Sequence, residues 1–286
     1  MQVIHRIEDI RQALASLKQK NKTIGLVPTM GALHNGHLSL LSAANKQCDK
    51  TIATIFVNPA QFDQSSDLAL YPRDAENDIN KLQEAGCDLL FMPEIDEIYP
   101  EEPVLSMNFG YLEDVMEGQY RPGHFGGVGL IVAKLFNIIQ PDQAYFGQKD
   151  LQQFVIINKM VEALNLPLKI NMMPIIRESN GLAMSSRNRR LSKNEFELAA
   201  NIYKSLINAK KLLNSGMPIN EIIKLAKAYF TALPDIKLEY FEIVNLKTLK
   251  SIERLNPEEP LALCLACYLG EIRLIDNIVI EYKRQD

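Results

Sequence analysis

The chain has 286 residues, of which 47% are hydrophobic and 23% charged, and its net charge is −4. This is an ordinary globular composition, long enough for roughly two domains with buried cores. The weakly acidic balance argues against bulk binding to nucleic acid or to an anionic membrane surface.

The opening segment "MQVIHRIEDIRQAL" carries charges throughout and has no apolar h-region, so it does not read as a signal peptide. No uncharged apolar run is long enough to span a bilayer, and a reduced, cytoplasmic protein is expected. "TIGLVPT" (23–29) reads as a strand that runs into the turn "PTMGALHNGH" (28–37). The spacing of Leu38, Leu41 and Ala44 in "HLSLLSAANKQ" predicts a helix. "TIATIFVN" (51–58) is β-rich, and "DAENDINKLQEAG" is a helix framed by early acids and a terminal glycine. "DLLFMP" is a short strand, "GGVGLIVAKLFNIIQ" an apolar helix and "QAYFG" a strand. "DLQQFVIINKMVEALN" is a helix and "LKINMMPII" a strand. Strands alternating with helices imply right-handed crossovers and a parallel sheet, with ligands at the carboxyl ends of its strands. The expected fold is therefore α/β, a Rossmann-like doubly wound domain over residues 1–175.

Over residues 176–286 the rhythm changes to a smaller α+β domain. "SKNEFELAANIYKSLINAKKLLNSG" and "PINEIIKLAKAYFTAL" predict long amphipathic helices; "KLEYFEIVNL", "LALCLACYLG" and "EIRLIDNIVIEYK" predict strands. Of the four cysteines, Cys264 and Cys267 form a C-x-x-C inside an apolar run with no second ligand pair nearby, which favours buried strand thiols over a metal or redox site.

The turn between the first strand and its helix concentrates two of the four histidines, His34 and His37. A strand-to-helix turn aims backbone N–H groups and the positive end of the helix dipole at whatever lies above it. Gly31 and Gly36 allow close approach to the backbone, and both imidazoles can donate to phosphate oxygens from there. Helix capping is the competing explanation. A zinc pair would normally sit at i,i+4 with a glutamate between, and that pattern is absent. A second element, "MSSRN" (184–188), favours phosphate chemistry. A nucleotidyltransferase shares the histidine turn, and a catalytically silent nucleotide-binding module is the alternative outside enzymes.

The motifs "PTMGALHNGHLSL", "FVNPAQF", "YPRD", "RPGHFGGV", "YFGQKDLQQ" and "RESNGLAMSSRN" occur in the order and at about the spacing of the pantothenate synthetase family, which the chain closely resembles from Gly25 to about Leu191. A weaker similarity continues to "RLIDNIVIE". The resemblance implies an ATP-dependent ligase that joins pantoate to β-alanine through a pantoyl-adenylate, releasing AMP and pyrophosphate. A carboxylate nucleophile needs no base, so the catalytic groups should position substrates and stabilise charge on the phosphate. The resemblance assigns His34, His37 and Lys149 to that task. It places ATP against Pro28, Thr29, Met30, Gly31, Ala32, Leu33, His34 and His37, against Gly147, Gln148, Lys149 and Asp150, and against Ile176, Met184, Ser185, Ser186 and Arg187. Arg187 stands where the related tRNA-synthetase loop carries lysine, and still supplies charge and a fork of donors. Pantoate falls to Met30, Asn58, Gln61 and Gln153, and β-alanine to Gln61. Magnesium is expected on the ATP phosphates, with Asp78 as its protein contact, although Asn77 stands where family members often carry a second acid. Arg121 and His124 are either ligand contacts or a structural pair. His5 has no supporting motif. A homodimer is implied by the family alone.

Overall fold

The computed structural model describes residues 1–62 and 68–281, which fall into two compact units. The first comprises Met1–Asp114, Gly118–Gln148 and Ile156–Pro174; the second comprises Val115–Glu117, Lys149–Val155 and Ile175–Asp286. The chain passes to the second unit for good at Pro174/Ile175, but two short pieces of the preceding sequence are grouped with it.

The first unit is a six-stranded sheet flanked by helices. Its strands are β1 (Gln2–Ile4), β2 (Ile24–Thr29), β3 (Lys50–Ile55), β4 (Leu89–Phe91), β5 (Gln143–Gly147) and β6 (Lys169–Met173), in the order β1-β4-β3-β2-β5-β6. Every pairing is parallel. Its longer helices are α1 (Ile7–Gln19), α2 (Asn35–Gln47), α3 (Ala75–Glu84), α4 (His124–Ile139) and α5 (Leu151–Ala163), the last of which starts in the second unit. The opening segment thus forms β1 and α1, neither of which was among the predicted elements; α1 buries Ile10 and Leu14 at helical spacing. β3 stops at Ile55 rather than Asn58, because Pro59 starts a 3-10 turn over Pro59–Gln61.

The strand order reverses between β2 and β5, which marks the ligand-binding crevice of a doubly wound sheet. The sequence opens that crevice. The carbonyl of Ile24 accepts from Asp142 N–H, on the β5 side. By the two-residue period, Leu26 and Pro28 face the same way. Pro28 has no N–H to give, and the β2–β5 pairing ends at Leu26. On the other side β2 pairs with β3 over its full length, from Ile24 to Thr29. The carboxyl end of β2 is therefore held from one flank only.

The second unit packs α6 (Lys193–Asn214) and α7 (Ile219–Thr231) on an antiparallel sheet of β7 (Ile236–Asn245), β8 (Leu261–Leu269) and β9 (Ile272–Ile280). Ser192 and Glu195 form a capping box at the start of α6. Ile202, Leu206, Ile222 and Phe230 from the helices meet Phe241, Leu263 and Leu265 from the strands. β8 and β9 are joined by the two-residue turn Gly270–Glu271, with Gly270 at φ +54°. The part of the last predicted strand that covers Tyr282 and Lys283 lies outside the described residues. Cys264 and Cys267 are buried free thiols in β8; their odd spacing puts them on opposite faces of the strand. Burial raises both thiols above their ordinary range, Cys267 to about 12. No helix among the described residues is long and apolar enough to cross a membrane.

One charged knot lies in this unit. Arg273 of β9 forks onto both oxygens of Glu117 at 2.6 and 2.8 Å and reaches Glu239 at 3.0 Å, while the Tyr240 hydroxyl donates to Glu117 at 2.8 Å. The three charged side chains are 17%, 12% and 11% exposed, so solvent screens them little. Removing the guanidinium strands two carboxylates together, and breaking a buried pair costs about 3–5 kcal/mol. Arg273→Ala is therefore expected to lower the stability of the second unit in urea by that order, and Arg273→Lys to rescue it only partly because a lysine has no fork. Unfolding followed by far-UV circular dichroism checks this; an unchanged midpoint for Arg273→Ala would show that the knot contributes nothing.

Candidate active site

In the first unit the site begins where β2 ends. Thr29 Oγ1 donates to the Thr54 carbonyl at 2.7 Å and accepts from Gly31 N–H at 3.2 Å. The chain then turns through Gly31 at φ +81° and Ala32 at φ +50°, left-handed geometry that a β-branched residue would resist. What holds this turn is Asp78 of α3. Its two carboxylate oxygens accept from Ala32 N–H and Leu33 N–H, each at 2.7 Å, and the residue is 1% exposed. A Cβ on Gly31 would stand 2.9 Å from Asp78 Oδ2, so the glycine serves close approach as well as conformation.

This geometry adds to the part expected of Asp78. Both its oxygens are occupied by the turn, and Asn77 beside it donates its amide to Asp74. The carboxylate thereby has a structural task that the expectation of a metal contact did not include. Among the described residues, no group of three or more His, Cys, Asp or Glu side chains is arranged to hold a metal ion.

The turn delivers the chain to α2, which starts at Asn35, earlier than its apolar spacing suggests. His34 is the N-cap in extended conformation, and His37 lies in the first turn. His34 Nδ1 accepts from Gly36 N–H at 3.1 Å, and His37 Nδ1 accepts from His34 N–H at 3.4 Å. The two rings lie 4.1 Å apart. Capping and phosphate binding are thus not alternatives here. A neutral imidazole that accepts at Nδ1 carries its proton on Nε2, so the caps set both rings as Nε2–H donors.

A second cluster surrounds Gln61, in the 3-10 turn after β3. Its Nε2 donates to Met30 Sδ at 3.0 Å and its Oε1 accepts from Asn58 Nδ2 at 3.2 Å. Two of the residues assigned to pantoate, Met30 and Gln61, are therefore in contact. Asn58 is 1% exposed: it also donates to the Gly127 carbonyl and accepts from the Tyr99 hydroxyl. It acts on Gln61 rather than on a ligand at its own surface. The Gln61 carbonyl is held by His124 Nδ1 at 2.7 Å, whose Nε2 lies 3.1 Å from Arg121 Nη1. Arginine only donates, so His124 accepts at Nε2 and donates from Nδ1. α4 comes so close to this turn that a Cβ on Gly127 would lie 2.1 Å from the Ala60 carbonyl oxygen. His5, by contrast, is exposed and bonded to the Met92 carbonyl.

In the second unit, Lys149 occupies the 3-10 turn Gln148–Asp150 that follows β5 in the chain. Its side chain is 18% exposed, with Nζ 3.2 Å from Asp150 Oδ1. Its carbonyl accepts from Asn277 Nδ2 at 3.0 Å. Of the neighbouring glutamines, Gln152 is buried and bonded to the backbone of Val115 and Glu117, whereas Gln153 is half-buried. The predicted serine loop starts from a small hairpin in which Arg177 bridges Ala183. Met184 N–H then donates to the Ile176 carbonyl at 2.9 Å, and Ser185 caps the 3-10 turn Ser186–Arg190 by accepting from Arg187 N–H. Ser186 is buried; Ser185 and Arg187 are half-buried. Arg177 forks onto Asp276 at 2.6 and 3.0 Å.

Tyr99, Arg177, Asp276 and Asn277 carry no motif of their own by which sequence reasoning could assign them a part. Arg177 begins "RESNGLAMSSRN", and the aspartate–asparagine pair in the apolar "RLIDNIVIE" was the one available signal.

A family model described as Pantoate-beta-alanine ligase matches residues 2–279. A pantothenate synthetase of Cytophaga hutchinsonii is 46% identical over 278 residues, covering 97% of this chain and 98% of the relative. One of Porphyromonas gingivalis is 44% identical over 281 residues, covering 98% and 100%. The crystal structure of pantothenate synthetase from Thermus thermophilus has a TM-score of 0.91 at 38% identity, covering 97% of this chain and 99% of that one. The pantoate-beta-alanine ligase of Francisella tularensis, in complex with beta-gamma ATP and beta-alanine, has a TM-score of 0.81 at 34% identity, covering 98% and 97%.

The clamp on the turn generates a prediction. Asp78→Asn keeps the volume but turns one acceptor into an NH₂ group facing an amide donor. Losing a buried hydrogen bond to a charged group costs about 1.5–3 kcal/mol, so the variant should lose stability of that order in urea unfolding. Gly31→Ala should destabilise independently, through the positive φ. Wild-type stability for Asp78→Asn would mean that the two amides find other acceptors.

Proposed function

This chain belongs to the pantoate–β-alanine ligase family, ATP-dependent enzymes that condense pantoate with β-alanine to pantothenate, and from that premise we propose how its residues divide the work. The observation that carries the reading is the pair of capped imidazoles at the carboxyl end of β2, both set as Nε2–H donors. His34 and His37 donate to the ATP phosphates there, beside the backbone of Pro28, Thr29, Met30, Gly31, Ala32 and Leu33 and the positive end of α2. Lys149 adds a full charge to the phosphoryl group under attack. Gly147, Gln148 and Asp150 line the nucleotide around it, as do Ile176, Met184, Ser185, Ser186 and Arg187.

Pantoate is held by Gln61, Gln153 and Met30: amides for its polar groups and a thioether for its gem-dimethyl carbon. Asn58 serves pantoate by fixing Gln61, and Gln61 also meets β-alanine. The pantoate carboxylate is ionised near neutrality and attacks the α-phosphorus; the new P–O bond forms as the bond to pyrophosphate breaks. The β-alanine amine then attacks the acyl carbon, and AMP leaves. No general base is needed in the first half-reaction, which suits a site built of donors and charge. The donor set around Asp78 does not fit a protein cage for magnesium. A magnesium ion accompanying ATP would rest on phosphate oxygens and water, and no step here runs through it. The four free cysteines suit the reducing cytoplasm, and the family resemblance supports a homodimer.

Omitting one substrate at a time tests the reaction. Pantoate and ATP without β-alanine should release pyrophosphate and leave an adenylate that β-alanine discharges with release of AMP. If pyrophosphate appears only when all three substrates are present, and no adenylate can be trapped, the two-step order is wrong.

The residue roles separate by saturation. His34→Ala, His37→Ala and Lys149→Ala should each slow adenylation at saturating substrate, since loss of one preorganised donor costs about 3 kcal/mol, a factor on the order of a hundred. Gln61→Ala and Gln153→Ala should chiefly raise the KM for pantoate. A Lys149→Ala enzyme rescued by excess pantoate, alongside a Gln61→Ala enzyme of normal pantoate affinity, would reverse the assignment.

A further inference from the structure

We infer that Asn277 of β9 is a positioning residue for this reaction, acting through the Lys149 main chain, and that Asp276 beside it anchors the stem of the serine loop. The inference rests on the role given to Lys149 above.

The strand that carries these residues reads Leu274–Ile275–Asp276–Asn277–Ile278–Val279 and belongs to the core sheet. Two polar side chains in the middle of such a strand are costly unless fully bonded. Asp276 is 2% exposed and Asn277 3% exposed. Packing alone would be served better by aliphatic residues at both positions.

Each side chain reaches a different segment. Successive residues of a strand point to opposite faces. Asn277 Nδ2 donates to the Lys149 carbonyl at 3.0 Å. Asp276 takes the fork of Arg177, whose Nη1 also donates to the Gly181 carbonyl at 3.1 Å and whose guanidinium lies 3.6 Å over the Tyr203 ring. Gly181, at φ +94°, is the tight point of the hairpin that leads to Met184 and the two serines. Asn277 N–H also donates to Asp276 Oδ1 at 2.7 Å, so the two residues are fixed with respect to each other. One rigid dipeptide thus holds the main chain of the lysine and the root of the serine loop. Lys149 itself lies in a 3-10 turn of three residues, whose intrinsic hydrogen bonding is weak. A main-chain anchor there sets where a long side chain starts.

The test is a double-mutant cycle on single-turnover adenylation at saturating pantoate and ATP. It uses the full-length chain and Asn277→Ala, Asn277→Asp, Lys149→Ala and the corresponding double variants. Asn277→Asp keeps the volume and replaces the donor with an acceptor facing a carbonyl. Displacing a catalytic group by about an ångström costs up to roughly 100-fold, so both Asn277 variants should slow adenylation by roughly 10- to 100-fold. The KM for pantoate should stay near its wild-type value. In the Lys149→Ala background the same changes should cost little more. Asn277→Ser, which retains a hydroxyl donor, should recover part of the rate. Thermal melting of each variant measures its folded fraction. A rate loss that tracks lost folded protein and is equal in both Lys149 backgrounds overturns the inference. So does a wild-type rate for Asn277→Asp beside a slow Lys149→Ala enzyme, which leaves the lysine's role standing. A wild-type rate for Lys149→Ala removes the lysine from the mechanism, and this inference with it.

Discussion

The Asp78 carboxylate, buried and bonded to the amides of Ala32 and Leu33, is the interaction on which the first unit's site depends. Those amides belong to a turn that leaves β2 with two successive positive φ values. Left alone, such a turn is strained and its N–H groups are orphaned. A charged acceptor answers both problems, and it comes from α3, a helix distant in sequence. The consequence is geometric. With the turn fixed, His34 has to be the N-cap of α2 and His37 has to lie in its first turn, so both imidazoles share one face. The caps then choose the tautomer. A residue singled out as a metal contact thus also works on the backbone, and that work helps decide what the histidines can donate.

The same division recurs elsewhere in the molecule. Among the groups proposed to meet ligands, His34, His37, Lys149 and Gln153 are half-buried, and Gln61 and Lys149 are held by an amide or ring that is itself buried. Gln61 is held at its side chain by Asn58 and at its carbonyl by His124, with Tyr99 and Arg121 behind them. Lys149 is held at its carbonyl by Asn277. Asparagine and histidine suit this task because their donors and acceptors are few and directional, with little rotamer freedom to lose. Main-chain anchors leave the working side chain its own hydrogen-bonding capacity. They also explain why polar residues sit in strands and turns that packing alone would fill with apolar ones.

Much of this was legible beforehand. The alternation of strands and helices, the change of rhythm near residue 175 and the helix frames around Leu38–Gln47 and 193–214 follow from periodicities of two and 3.6 residues, which are local properties. The histidine turn, "NPAQF", "YFGQKD" and "MSSRN" were recognisable because their residue types are few and their spacing is tight. β1 escaped because three residues are too short for any period to show. The start of α2 was displaced because apolar spacing ignores the cap, and here the cap is a histidine rather than a serine or an aspartate.

By itself, then, the sequence determined most of the strands and helices and the family the chain resembles, and it supplied the residues proposed for phosphate chemistry. Only the tertiary structure decided the strand order, and with it the reversal between β2 and β5, where Pro28 withholds the hydrogen bond that would have closed the sheet. It also made Asp78 a clamp on the turn, set the tautomers of His34, His37 and His124, and gave Asp276 and Asn277 their partners. The physical reason is one of range. Propensity and periodicity act over a few residues along the chain, whereas these hydrogen bonds join groups 45 to 128 residues apart or depend on a turn that such bonds hold in place.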